Sequence, residues 1–179
     1  LRSAENNSHS VCEKTIQFQR HGVTFHCRVD RIDYLDSGVR IVDYKTGLVA
    51  RNRWLGEHLA DPQLPLYALA LDAHCIAYAS LHPDQWGYVG ISSDVSLIPG
   101  IQEISSVRHR PDALSHWHDL YAHWEQGVDR LIHAYRTCDV RCLPREPLSC
   151  QRCGLQSVCR IYAPTTHRLD KRRSKTRTG

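Results

Sequence analysis

The apolar and polar positions of this chain change period several times, and each change marks an element. Between residues 14 and 20, Ile16 and Phe18 alternate with polar neighbours, the period of a strand covered on one face. His21-Gly22 turns the chain. In the next strand Val23, Phe25, Cys27 and Val29 fall on one face, and His26, Arg28 and Asp30 on the other. Asp36-Ser37-Gly38 is a second turn cluster, after which Val39, Ile41, Asp43 and Lys45 share one face of a third strand. An antiparallel meander is expected.

A polar, irregular stretch follows Thr46-Gly47 to about Ala60. Asp61-Pro62 then reads as a helix start, an N-cap followed by the residue best tolerated in the first turn, with the helix expected to reach about Cys75. Residues 76–98 suggest two strands around His82-Pro83-Asp84. Leu114, Trp117, Tyr121, Trp124, Val128, Leu131 and Tyr135 recur at spacings of three and four, predicting an amphipathic helix over 112–137. Its aromatic residues read as core rather than as a stacking platform. Strands mixed with helices make the fold class α/β, with a central mixed sheet flanked by helices.

Composition adds limits. At 179 residues the chain suits one core with appendages. No apolar run approaches the roughly 18 residues of a membrane span, so no membrane role is expected. The chain opens on Leu1 and contains no Met, and it reads as a piece of a longer polypeptide. The formal charge of +4 is misleading. Six basic residues against Asp170 in 168–179 account for all of it, so the body is not basic and this end reads as a solvated tail. No G-x-x-x-x-G-K-[ST] loop occurs, so any motor must lie elsewhere.

The chemistry is concentrated in Arg28-Val-Asp30-Arg-Ile-Asp33 and Ile41-Val-Asp43-Tyr-Lys45-Thr-Gly47. If the hairpin turns at 36–37 or 36–38, the residue opposite Asp30 is Asp43 or its neighbour Tyr44. Facing carboxylates repel across strands, and burying them costs more, so the pair asks for a cation. Mg²⁺, which prefers carboxylate and water oxygens, suits it. Lys45 leaves the strand on the same side and can reach an attacking water or a phosphate; this is the minimum kit for metal-assisted phosphodiester hydrolysis. Gln63 and Tyr67, four residues apart, share one helix face. Arg31 reads as a phosphate contact or ion-pair partner, and Asp33 as an orienting group. His116, His118 and His123 lack a carboxylate or cysteine at ligand spacing, which argues against a metal there.

Cys27-Arg-Val-Asp30-Arg-Ile-Asp33, Asp43-Tyr-Lys45-Thr-Gly47 and Gln63-Leu-Pro-Leu-Tyr67 together resemble the PD-(D/E)XK nucleases, within them the branch of the RecB and AddB exonuclease domains. The resemblance runs over roughly residues 13–160 and implies a restriction-endonuclease-like core. It implies that Asp30 and Asp43 bind Mg²⁺ (or Mn²⁺), that the Tyr44 carbonyl adds a ligand, that Lys45 assists the nucleophile, and that Gln63 and Tyr67 shape the site and contact DNA. The implied activity is Mg²⁺-dependent DNA hydrolysis in repair or recombination, with DNA as partner and a helicase subunit or domain beside it.

Cys150-Gln-Arg-Cys153-Gly-Leu-Gln-Ser-Val-Cys159 has the spacing of thiolates converging on one metal, and spacing alone suits zinc and iron–sulfur centres equally. The clustering suggests a reducing, cytoplasmic compartment. The resemblance implies a [4Fe–4S] cluster on Cys150, Cys153 and Cys159 with a fourth cysteine upstream. That cysteine and the family's upstream histidine are not evident here: Cys12 stands immediately before the first strand, later than the family's cysteine, and Cys138 and Cys142, which could substitute, read rather as core or loop thiols. The expected organisation is a nuclease core over 1–137, a cysteine-rich extension over 138–167 and a basic tail over 168–179. The competing reading is a non-catalytic DNA-end-binding module with a structural metal cluster.

Overall fold

The computed structural model describes residues 9–94, 98, 101–108, 110–139, 147–151, 153–156 and 158–159. The basic tail and Cys142 lie outside them. Residues 1–139 form one compact unit and 140–179 a second.

The first unit is built on a mixed six-stranded sheet in sequential order. Strands β1 (His9–Arg20), β2 (Val23–Leu35) and β3 (Gly38–Lys45) form the expected antiparallel meander. His21 and Gly22 both take positive φ, the two-residue hairpin turn whose twist matches the strands it joins. β3 then pairs in parallel with β4 (Ala73–Ser80). A parallel partner cannot be reached by a hairpin, so the chain crosses one face of the sheet between them. That crossover carries a 3-10 turn at Arg51–Trp54 and helix α1 (Gln63–Leu71). β5 (Gly87–Ser92) returns antiparallel, and the two-residue β6 (Gln102–Glu103) closes the sheet in parallel. Helix α2 (Trp117–Arg136) packs on α1.

The main core lies between the helices and one sheet face, where Ile32, Ile41, Ile76 and Tyr78 meet Leu64, Leu120, Trp124 and Val128. Each such side chain contributes about 1.5–3 kcal/mol when fully buried. A smaller cluster of Val42, Cys75, Ala77 and Ala79 under Ile98 and Ile101 covers part of the other face.

Several boundaries differ from expectation. α1 stops at Leu71 rather than near Cys75, because Asp72 takes the left-handed conformation and its N–H closes on the Ala68 carbonyl. Cys75 is instead inside the buried strand β4. α2 begins at Trp117, later than 112, because Asp119 accepts the N–H groups of Ser115 and His116 and fixes the start there. Leu114 is buried ahead of the helix. Trp54, in the stretch read as polar and irregular, is wholly buried and accepts the Trp124 indole N–H on its carbonyl at 3.0 Å.

In the second unit, α3 (Pro147–Gln151) precedes a set of short turns. Cys153 N–H bonds the Cys150 carbonyl at 3.2 Å, and Cys159 N–H bonds the Leu155 carbonyl at 2.8 Å.

Candidate active site

β2 and β3 pair with Leu35 opposite Gly38 and Arg31 opposite Val42. One further step in that register sets Asp30 opposite Asp43, which resolves the two hairpin alternatives in favour of the 36–37 turn. β2 reaches this arrangement through an irregularity. Phe25, Cys27 and Val29 pack on the main core, yet so does Ile32, so the strict alternation breaks at Asp30 and Arg31. Across from the break, between the pairs Cys12–Arg31 and Lys14–Val29, Glu13 adopts φ +53. The break takes Asp30 off the His26 and Arg28 face and onto that of Asp43. Its Oδ2 accepts the Tyr44 backbone N–H at 3.0 Å.

Asp43 is 3% exposed. Burial pushes its carboxyl above the ordinary range, Lys45 opposes this, and the charges of Asp30 and Asp61 add to the rise. Oδ1 accepts the Gln63 amide at 3.0 Å. Oδ2 lies 2.7 Å from Lys45 Nζ, a close ion pair in the buried end of the site. Gln63, entering from the first turn of α1, ties the group together. Its Oε1 accepts from Lys45 Nζ at 3.3 Å and its Nε2 also reaches Tyr67 Oη at 3.3 Å. Tyr67 is 6% exposed and donates to the Arg28 carbonyl at 3.2 Å. Burial pushes its phenol up, with Asp43 and Asp30 contributing, so it stays a neutral donor.

Asp30, Asp43, Lys45, Gln63 and Tyr67 are thus gathered at one end of one sheet face. Tyr44 is placed differently: its side chain is exposed on the opposite face, and only its backbone adjoins the carboxylates. Arg31 and Asp33 also leave the site. Asp33 is wholly buried and accepts from Ser10 at 2.5 Å, Arg31 at 2.8 Å and Arg40 at 2.7 Å. Two neighbours escaped the sequence reading as site residues. Tyr78 sits on β4 with its ring 5.8 Å from Lys45 Nζ, and Asp61 accepts both the Gln63 N–H at 3.3 Å and the Tyr78 hydroxyl at 2.7 Å. The position of Asp61 two residues before Gln63 was a visible signal; Tyr78, inside an apolar run, gave none.

Among the described residues no three His, Cys, Asp or Glu side chains converge as metal ligands. Two carboxylates nonetheless fit Mg²⁺, which keeps several waters and takes further oxygens from substrate phosphates. The all-oxygen donor set of Asp30 and Asp43 agrees with such an ion. Cys150, Cys153 and Cys159 form no disulfide. Cys153 Sγ accepts the Leu155 N–H at 3.4 Å. His116 and His118 stack with ring centroids 5.5 Å apart and His118 pairs with Asp119 at 2.9 Å, while burial lowers the pKa of His123.

A mixed sheet with a helical crossover, bearing paired carboxylates and a lysine at the end of adjacent strands, defines a restriction-endonuclease-like α/β protein. The sequence model of the PD-(D/E)XK nuclease superfamily matches residues 2–160, and the chain belongs to that superfamily, whose members are generally metal-dependent nucleases using Mg²⁺ or Mn²⁺. No curated protein matches the sequence. Among solved structures, the crystal structure of SSO0001 is similar at 17% identity and a TM-score of 0.44, over 84% of this chain and 59% of that one. The chain therefore spans less than two thirds of that protein.

Proposed function

We propose that this chain is the nuclease domain of a RecB/AddB-like DNA exonuclease acting in repair or recombination, beside a helicase subunit or domain. The observation that carries the reading is the convergence of Asp30, Asp43, Lys45, Gln63 and Tyr67 from β2, β3 and α1. Asp30, Asp43 and the Tyr44 carbonyl would hold Mg²⁺ or Mn²⁺. When bound, the ion supplies Lewis acidity toward the phosphodiester and an activated water. Asp43 supplies a buried negative charge beside the Lys45 ammonium. Lys45 offers an ammonium held by Asp43 and Gln63 where charge develops on the phosphate. Gln63 and Tyr67 keep the carboxylate and ammonium in one orientation and exclude water behind them.

A surface feature supports a strand-shaped substrate. A groove of about 510 Å³ is lined by Val49, Arg51, Asn52, Gln85, Gln102 and Arg108, and Val49 also borders the cleft beside Lys45. The guanidinium groups of Arg51, which donates to Gln102 Oε1 at 2.6 Å, and of Arg108 suit a sugar–phosphate backbone. We also propose that Cys150, Cys153 and Cys159 hold a [4Fe–4S] cluster together with a thiolate from elsewhere in the polypeptide, in a cytoplasmic setting.

The test uses the full polypeptide on linear and covalently closed circular DNA with Mg²⁺, Mn²⁺ or a chelator. Metal-dependent loss of linear DNA with the circle intact is expected. Tight binding of DNA ends without cleavage in either metal would favour the end-binding module instead, and cleavage of the closed circle would overturn the exonuclease assignment.

A further inference from the structure

We infer that Tyr78, acting through Asp61, is a positioning residue for the nuclease reaction, holding Gln63 and Lys45 over the carboxylates. This rests on the nuclease reading above. Tyr78 is 1% exposed in the central strand β4, where a phenylalanine would fill the space without bringing a hydroxyl into the core. A buried hydroxyl is costly unless bonded, and this one is bonded twice. It accepts the Trp54 indole N–H at 3.1 Å and donates to Asp61 Oδ2 at 2.7 Å.

The chain of bonds runs further in both directions. The Trp54 carbonyl accepts the Trp124 indole N–H, which anchors the inner end to α2. At the outer end Asp61 Oδ1 accepts the Gln63 N–H and fixes the first turn of α1. Gln63 then spans Asp43, Tyr67 and Lys45 with its single amide. A second arm is direct, because the Tyr78 ring lies beside the Lys45 ammonium. Lys45, Asp61 and Tyr78 line the same cleft of about 190 Å³, with Arg53 Nε 4.0 Å from Asp61 on its rim. Burial, with Asp61 adding, drives the Tyr78 phenol far up, so the hydroxyl remains a donor wherever the protein is folded. Bonds this connected transmit position, since shifting Asp61 moves the backbone that carries Gln63.

Tyr78→Phe keeps the ring and its contact with Lys45 while cutting the relay. On linear DNA with Mg²⁺, it should lower kcat roughly tenfold with KM within about twofold, because the loss is of orientation rather than of substrate contact. Amide exchange at Gln63 N–H should quicken. In a Gln63→Ala background the same change should cost less than about twofold, since the group being positioned is already gone. Asp61→Ala, at a partly exposed residue, should reproduce the kcat loss and serves if Tyr78→Phe does not fold. Unchanged kcat in either variant, or a Tyr78→Phe loss that multiplies fully with Gln63→Ala, would overturn the proposal and leave a packing role. A parent that cuts no DNA would overturn the nuclease reading, and the positioning role with it. Quickened Gln63 exchange in Tyr78→Phe, with a parent that cuts no DNA, would show the relay to be structural alone.

Discussion

Asp33 stands three residues after Asp30 yet does different work. Burial alone would raise its carboxyl, but hydrogen bonds from Ser10, Arg31 and Arg40 outweigh burial and hold it below the ordinary carboxylate range. Its contribution to stability is therefore complete above the unfolded pKa and is lost as pH falls through the depressed folded value. Asp33→Asn should cost about 2–3 kcal/mol at neutral pH, less than a fully buried pair because both guanidiniums reach solvent. It should also flatten the fall in melting temperature on the acid limb. A variant whose acid limb matches the parent would show that another group sets it. Alternation alone gives Asp30 and Asp33 opposite faces of one strand without saying which faces the site, and in the sequence only hairpin register and the motif resemblance told them apart. The break after Val29 decides it, and Glu13, whose positive φ accompanies the break, has no residue type that announces it.

Elements with clean alternation were legible: the meander followed from turn residues and period, which left either Asp43 or Tyr44 opposite Asp30. β4 was less so, because Ala73–Ser80 is buried on both faces and its apolar run continues that of α1. The helix stop rests on a left-handed Asp72, where glycine is the usual marker. α1 carries the amide and phenol of the site, and its prediction follows from what they touch. Gln63→Ala should lower kcat further than Tyr67→Ala, because Gln63 contacts Asp43 and Lys45 directly whereas Tyr67 reaches them through Gln63. Both should fall short of changing Asp43 itself. Equal, complete loss in both, accompanied by loss of helical circular dichroism, would show a packing pair instead. Along the groove, Arg51→Glu and Arg108→Glu should raise KM and reduce the salt slope of DNA binding by about 1 per phosphate contact, with kcat kept. An unchanged slope in both would remove the groove from the substrate path.

At the scale of the molecule, the first unit has its own two-sided core, while the second is short on apolar periodicity and rich in thiols. Metal-linked folding energy of about 10–16 kcal/mol in small thiolate sites would stabilise such a segment. After anaerobic purification the full polypeptide should carry about four irons per cluster, and each of Cys150→Ser, Cys153→Ser and Cys159→Ser should lose iron and expose 140–179 to protease. Stoichiometric zinc without iron would contradict the cluster. Superfamily membership and fold were readable because three motifs occur in order.

If Asp43 and Lys45 form the reacting end of a metal-dependent nuclease, Asp43→Asn and Lys45→Ala in the full polypeptide should separate metal binding from cleavage. Both substitutions leave the main core intact, so circular dichroism and melting should stay close to the parent. Cleavage of linear DNA with Mg²⁺ should fall by at least about a thousandfold in each, and calorimetric Mg²⁺ binding should be lost in Asp43→Asn but kept in Lys45→Ala. Cleavage near the parent rate by either folded variant would contradict the account.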